Sequence, residues 1–202
     1  GDNCKPLLFP DIGTFFNQDI AVAKAMVKKL HNCGAPIIKG EILHDHNIAA
    51  GNDAEEEYLG DDGKIIKEKI KDVIGRKIVP LSSYDDLFTF VKSLGLEFVL
   101  SVYDFVGANF AKDIGASALK IASSNIVHQP LIEHVSKLGL PVIIDTGKSS
   151  FDEIARAVQW GRDVGLKNLI LQHSPEAPPA PISSQNLRLM GLLKQTFNCP
   201  VG

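Results

Sequence analysis

Five times in this chain a helix-like stretch stops at a glycine, a short apolar run follows, and the run closes on charged or hydroxyl residues. The glycines are Gly34, Gly95, Gly115, Gly139 and Gly165, and the runs after them read APIIKGE, LEFVLSVYD, ASALKIASS, LPVIIDTGK and LKNLILQHS. A glycine just past a helix takes the left-handed conformation without a Cβ clash, and each run is β-branched and too short for a helix. Each repeat therefore reads as helix, glycine stop, buried parallel strand, then a polar cluster at the strand's C-terminal end. Counted along the chain, this predicts six strands, six following helices and the start of a seventh strand at residues 199–202.

Such alternation implies parallel strands joined by right-handed crossovers, hence an α/β protein. An open doubly wound sheet binds ligand mainly at one switch point and often carries a glycine-rich first turn. Asp11-Ile12-Gly13-Thr14 is no such turn, and every strand ends in polar chemistry. A TIM-type (β/α)8 barrel, which keeps its active site at the C-terminal strand ends, fits better. An eight-unit barrel takes roughly 250 residues. The 202 residues thus read as one incomplete barrel domain of about six units plus the start of a seventh strand.

Local signals place the elements. Residues 7–13 read as the first strand, and Asn17 or Asp19 can cap the helix that follows. Residues 43–63 look irregular, with Glu55-Glu56-Glu57 a solvated face, and residues 64–74 are helical in period. Ser82 or Ser83 is the expected cap of the next helix, Ser150 and Glu153 form a capping box, and residues 186–198 make the last helix.

Composition excludes some functions. Apolar content of 45%, charged content of 22% and a net charge of −3 are ordinary for a globular protein and give no reason to expect nucleic acid or an anionic membrane as partner. No apolar run approaches the ~18 residues of a membrane span. The three cysteines, Cys4, Cys33 and Cys199, lack metal-ligand spacing and suit a reduced, cytoplasmic setting.

The predicted rim carries Lys39 and Glu41; Ser101 and Asp104; Lys120, Ser123 and Asn125; Asp145, Thr146, Gly147 and Lys148; His173, Ser174 and Glu176. A lone buried ammonium costs several kcal/mol, so one such lysine is best read as a structural ion pair, Lys39 with Glu41 or Asp11. Three lysines among hydroxyls and backbone donors suit a phosphate or carboxylate instead. A carboxylate at Asp145 would repel such an anion unless a cation pairs with it, and Lys148, three residues on, is the expected partner. His173 is expected to line the pocket. His44-Asp45-His46 lies in the irregular stretch and reads as a solvated loop.

Several stretches carry a resemblance: Asp11-Ile12-Gly13, Ala35-Pro36-Ile37-Ile38-Lys39, Lys120-Ile121-Ala122-Ser123-Ser124-Asn125, Pro141-Val142-Ile143-Ile144-Asp145-Thr146-Gly147, and His173-Ser174-Pro175-Glu176 through Pro181 with Asn186-Leu187-Arg188. In this order and spacing the chain resembles the sialic acid synthase (N-acetylneuraminate synthase) family along nearly its whole length.

The resemblance implies a TIM-type barrel that condenses phosphoenolpyruvate with an amino-sugar aldose such as N-acetylmannosamine or its 6-phosphate, giving a nine-carbon 2-keto acid and phosphate. It also implies a divalent metal, Mn²⁺ or Mg²⁺, with ligands beyond Gly202 and none assigned within this chain. A homodimer is one assembly open to it. Lys39, Ser101, Lys120 and Ser123 fall where the family holds phosphoenolpyruvate, and Asp11 falls on a glutamate that positions water or protons. Asn125, Asp145, Thr146, Gly147, Lys148, His173 and Glu176 complete the implied substrate-binding set, with Asp145 and Lys148 either paired or both facing the sugar, where Asp145 would accept from its hydroxyls. The chain departs from the family at Phe15-Phe16, usually Asn-His; at Asn125, usually Glu; at Asp145, usually Ser; and at Pro178, usually Tyr. A Schiff-base aldolase using Lys120 or Lys39, and a non-catalytic sugar-binding homologue, are the alternatives.

Overall fold

All five glycine stops adopt the left-handed backbone, with φ of +81° at Gly34, +72° at Gly95, +85° at Gly115, +83° at Gly139 and +93° at Gly165. The structure, a computed structural model, describes residues 5–48, 54–60, 62–175 and 180–202. It divides into two compact units, Gly1–Glu97 and Phe98–Gly202.

In the first unit, β1 (Asp11–Gly13) pairs in parallel with β2 (Ile37–Glu41), and α1 (Ile20–Asn32) connects them. The first strand is shorter than expected. Leu7 and Leu8 are exposed, and pairing begins only at Pro10, whose carbonyl accepts from the Lys39 N–H at 2.8 Å. Asp19, not Asn17, caps α1 by accepting from the backbone N–H groups of Ala21 and Val22.

The stretch read as irregular and then helical instead forms an antiparallel hairpin, β3 (Glu55–Leu59) with β4 (Ile65–Lys69), and only the short α2 (Ile70–Gly75) is helical. Cross-strand charge pairing accounts for this: Glu55 faces Lys69 and Glu57 faces Lys67 in the register, and Lys67 Nζ lies 2.9 Å from Glu55 Oε2. Glu68 escapes the like charge of Glu56 by taking Arg76 at 2.6 Å and the Tyr58 hydroxyl at 2.6 Å. Arg76 and Tyr58 together hold the Glu68 carboxyl below its ordinary value.

In α3 (Leu81–Ser93) the N-cap is Pro80 and makes no side-chain cap bond, so the expected serine caps fall inside the first turn. The helix buries Tyr84, Leu87, Phe88 and Val91. The Tyr84 hydroxyl accepts from the Leu43 N–H at 3.2 Å and donates to the Leu43 carbonyl at 3.3 Å, which ties the segment after β2 to this helix.

The second unit alternates strictly: β5 (Glu97–Val102), α4 (Phe105–Asp113), β6 (Ala118–Ile121), α5 (Gln129–Lys137), β7 (Val142–Asp145), α6 (Phe151–Asp163), β8 (Leu169–Gln172) and α7 (Arg188–Phe197). Its strands pair in parallel in sequence order, and Val201 adds a parallel bridge to Leu171 where a further strand was expected. The capping box forms as read, Ser150 accepting from Glu153 N–H and Glu153 accepting from Ser150 N–H. The last helix starts at Arg188, later than expected, after a tight turn at Ile182–Ser184. Among the described residues no helix is long and apolar enough to cross a membrane.

The register of this unit sorts its side chains. Leu100, Val102, Leu119, Ile121, Ile144 and Leu171 share one face and are all fully buried. Residues side by side in a parallel ladder point the same way, so Ser101, Lys120, Ile143 and Ile170 form a row on the opposite face, with Asp145 and Gln172 one step nearer the strand ends. One face is therefore aliphatic core, and the other changes from aliphatic to polar toward the C-terminal ends.

Candidate active site

Two clusters of buried charge stand at strand ends, one in each unit. In the first, Asp11 and Lys39 are register partners across β1 and β2. Lys39 Nζ donates to Asp11 Oδ2 at 2.7 Å and to Glu41 Oε1 at 3.2 Å. The other Asp11 oxygen accepts from the Gly13 N–H at 2.7 Å. This turn needs glycine twice over: φ at Gly13 is +44°, and a Cβ there would lie 3.1 Å from the Phe15 ring. Phe15 is exposed on the surface while Phe16 is core. The Lys39 side chain is 6% exposed against 41% for Asp11, so the ammonium is the desolvated member and its counter-charge faces water. Both of the anticipated partners of Lys39, Asp11 and Glu41, are used at once.

In the second unit Lys120 Nζ lies 2.8 Å from Asp145 Oδ2, and the other Asp145 oxygen accepts from the Gly147 N–H at 3.0 Å. This corrects the expected Asp145–Lys148 pair. Strand register brings Lys120 beside β7 on the same face as Asp145, whereas Lys148 sits past the strand end, exposed, with φ of +55°. Around Gly147 the packing is close: an added Cβ would meet Ser174 Cβ at 3.3 Å, Asp145 Oδ1 at 3.4 Å and Ser123 Cβ at 3.5 Å. Ser123, Ser174 and Asp145 thus pack around Gly147, and Asp145 links its backbone N–H to the Lys120 ammonium.

Thr146 is buried and bound to the neighbouring strand, its N–H and hydroxyl both donating to the Gln172 carbonyl at 2.9 and 3.2 Å. Ser101 is buried in the same row as Lys120. Asn125, half-buried, accepts from the Ser124 hydroxyl at 2.9 Å. His173 has a different setting: its Nε2 is 2.7 Å from the Gln185 carbonyl, which can only accept, so that nitrogen carries the proton. Its backbone N–H donates to the Gly202 carbonyl. Glu176, with Pro178, lies outside the described residues.

Gln172 was missed from the sequence, where it closes the apolar run Leu169-Ile170-Leu171. It is the register partner of Asp145 on the polar face, and its Oε1 is buried with no partner among the described residues. Asp45 forms a local turn, accepting from both nitrogens of Asn47, and the His46 ring lies beside Gly75 at the end of α2. Among the described residues no three His, Cys, Asp or Glu side chains converge to hold a metal ion.

The elements and the polar strand ends define an α/β protein of the TIM-barrel class. The NeuB family model matches residues 26–202, and the chain belongs to the NeuB family. An N,N'-diacetyllegionaminic acid synthase of Campylobacter jejuni is 24% identical over 98% of this chain and 60% of its own length. A protein of Methanocaldococcus jannaschii whose function is uncharacterised is 30% identical over 94% of this chain and 52% of its own length. A solved N-acetylneuraminic acid synthetase from Leptospira borgpetersenii, in complex with citrate, aligns with a TM-score of 0.82 at 22% identity, covering 98% of this chain and 64% of that one. The chain spans between half and two thirds of the length of these relatives.

Proposed function

We propose that this chain is the barrel part of a synthase that condenses phosphoenolpyruvate with an amino-sugar aldose to give a nonulosonic acid and phosphate. The observation that carries the reading is family membership together with a desolvated Lys120 at a strand end, beside Ser101 in the ladder and joined through Asp145 to the Gly147 N–H, next to which Ser123 packs. These groups suit an enol phosphate: an ammonium and hydroxyl donors neutralise developing charge in a site largely removed from water.

In the reaction the enol methylene carbon attacks the sugar aldehyde, forming the new C–C bond. Water adds at the phosphate-bearing carbon, and phosphate leaves by C–O cleavage, so the product is a 2-keto acid. In this reading Asp11, which is bonded to Lys39 and to the Gly13 N–H, accepts or returns a proton at water. A divalent metal, Mn²⁺ or Mg²⁺, belongs to this reading as a Lewis acid that would supply polarisation of the aldehyde when bound, and no residue described above is assigned to hold it. A Schiff base needs a neutral amine, and both lysines are ion-paired, which favours the synthase over the aldolase.

The test is release of inorganic phosphate from phosphoenolpyruvate with N-acetylmannosamine, its 6-phosphate and related amino-sugar aldoses, in the presence of Mn²⁺ or Mg²⁺. Release that requires both substrates, with a new 2-keto acid seen by mass spectrometry, supports the proposal. A borohydride-trapped adduct on Lys39 or Lys120 without phosphate release would replace it with the aldolase.

A further inference from the structure

We infer that Asp145 is the specificity-determining residue of the β6–β7 strand end: its carboxylate occupies the donors that an anionic ligand would use, and so weakens the site for free phosphate. Each Asp145 oxygen takes one donor, Lys120 Nζ at 2.8 Å and the Gly147 N–H at 3.0 Å, which is the bridging pattern an oxyanion makes between an ammonium and a backbone amide. Both charged side chains are only 10% exposed, so their mutual neutralisation is local and little screened by solvent. Gly147 itself is closely packed, since a Cβ there would meet Ser174 and Ser123 as well as the Asp145 carboxylate.

Asp145 has nowhere nearby to go. Its register partner Gln172 contributes a buried carbonyl oxygen without a partner among the described residues, a second acceptor in place of a cation. Lys148, the nearest cation along the chain, is exposed beyond the strand end. An anion that reaches Lys120 must therefore either share it with a carboxylate or displace one, and like charges brought together in a desolvated site cost several kcal/mol. A ligand that binds here compensates through other contacts, as a substrate with several anchoring groups does, whereas inorganic phosphate has none. For phosphoenolpyruvate the inference rests on the synthase reading; for inorganic phosphate it rests on this geometry alone. In a synthase, the consequence is rapid loss of product phosphate and weak product inhibition.

The experiment is calorimetric titration of the protein with inorganic phosphate at constant ionic strength. The wild type should bind more weakly than about 1 mM. Asp145→Asn keeps the shape and removes the charge, and should tighten phosphate by at least about tenfold. The double variant Lys120→Gln with Asp145→Asn should lose that gain, because the ammonium is gone. Circular dichroism checks that the variants are folded.

A folded Asp145→Asn within twofold of the wild type overturns the inference, as does a gain that survives loss of Lys120. Should the variants not fold, the wild type decides: a phosphate dissociation constant below about 1 mM would show that the donors are open and overturn the inference. No turnover enters these measurements, so failure of the synthase assay and failure of this inference are read separately.

Discussion

Lys120 and Asp145 stand on adjacent parallel strands with their charged atoms 2.8 Å apart, and neither can be changed without stranding the other. The pair joins stability to ligand binding at one point. Breaking a buried ion pair from one side costs more than the pair's net worth, because the remaining charge stays desolvated.

Lys120→Ala should therefore destabilise the protein by about 3–5 kcal/mol and abolish phosphate release. Adding Asp145→Ala should return part of the stability, though not the activity. Urea unfolding of the two single variants and the double variant measures the coupling. If the effects simply add, the pair does not act as a unit.

Asp11 offers the contrasting case, since it is half exposed and Lys39 keeps Glu41. Asp11→Asn should leave the unfolding temperature nearly unchanged, because the remaining amide oxygen can still accept from Gly13. Turnover should fall on the order of 10²-fold if Asp11 moves a proton at water. A decrease of less than about threefold in phosphate release removes Asp11 from the chemistry.

Tyr84 gives a prediction about pH. Burial pushes its phenol up to about 12, against the backbone hydrogen bond from Leu43, which acts the other way. An unfolded tyrosine titrates near about 10, so the folded state holds this proton more tightly. Stability from this group is full below about pH 10 and is lost as pH rises toward the folded value. Tyr84→Phe should lack this alkaline loss. At neutral pH it should cost about 1–3 kcal/mol, because the Leu43 N–H loses its acceptor while the Leu43 carbonyl keeps the Val79 N–H. Chemical denaturation of both proteins at pH 7 and pH 11 tests both statements.

Much of the fold was legible in residue order because its determinants are local. A glycine past a helix, a β-branched run and a hydroxyl capping a first turn act over a few residues, and Gly34, Gly95, Gly115, Gly139 and Gly165 stop their helices as read. Ser150 with Glu153 and the parallel order of the second unit follow in the same way. The hairpin was not legible, since Glu55-Glu56-Glu57 becomes a strand only when Lys67 and Lys69 lie opposite, and a charge run has no intrinsic period. Pro80 displaced the serine caps because its fixed φ suits a helix entrance.

At the candidate site the sequence determined which residue types meet at the rim, because strand ends are set by local pattern. The family was readable from the same motifs. Only the tertiary structure decided who neutralises whom. Lys148 is three residues from Asp145, yet Lys120, 25 residues away, holds its carboxylate, since parallel register places side chains of neighbouring strands on a common face while the chain turns away after Asp145. Gln172 likewise enters the site through its register with Asp145 alone. Charge in a desolvated site is balanced across strands, and spacing along one strand carries no record of that.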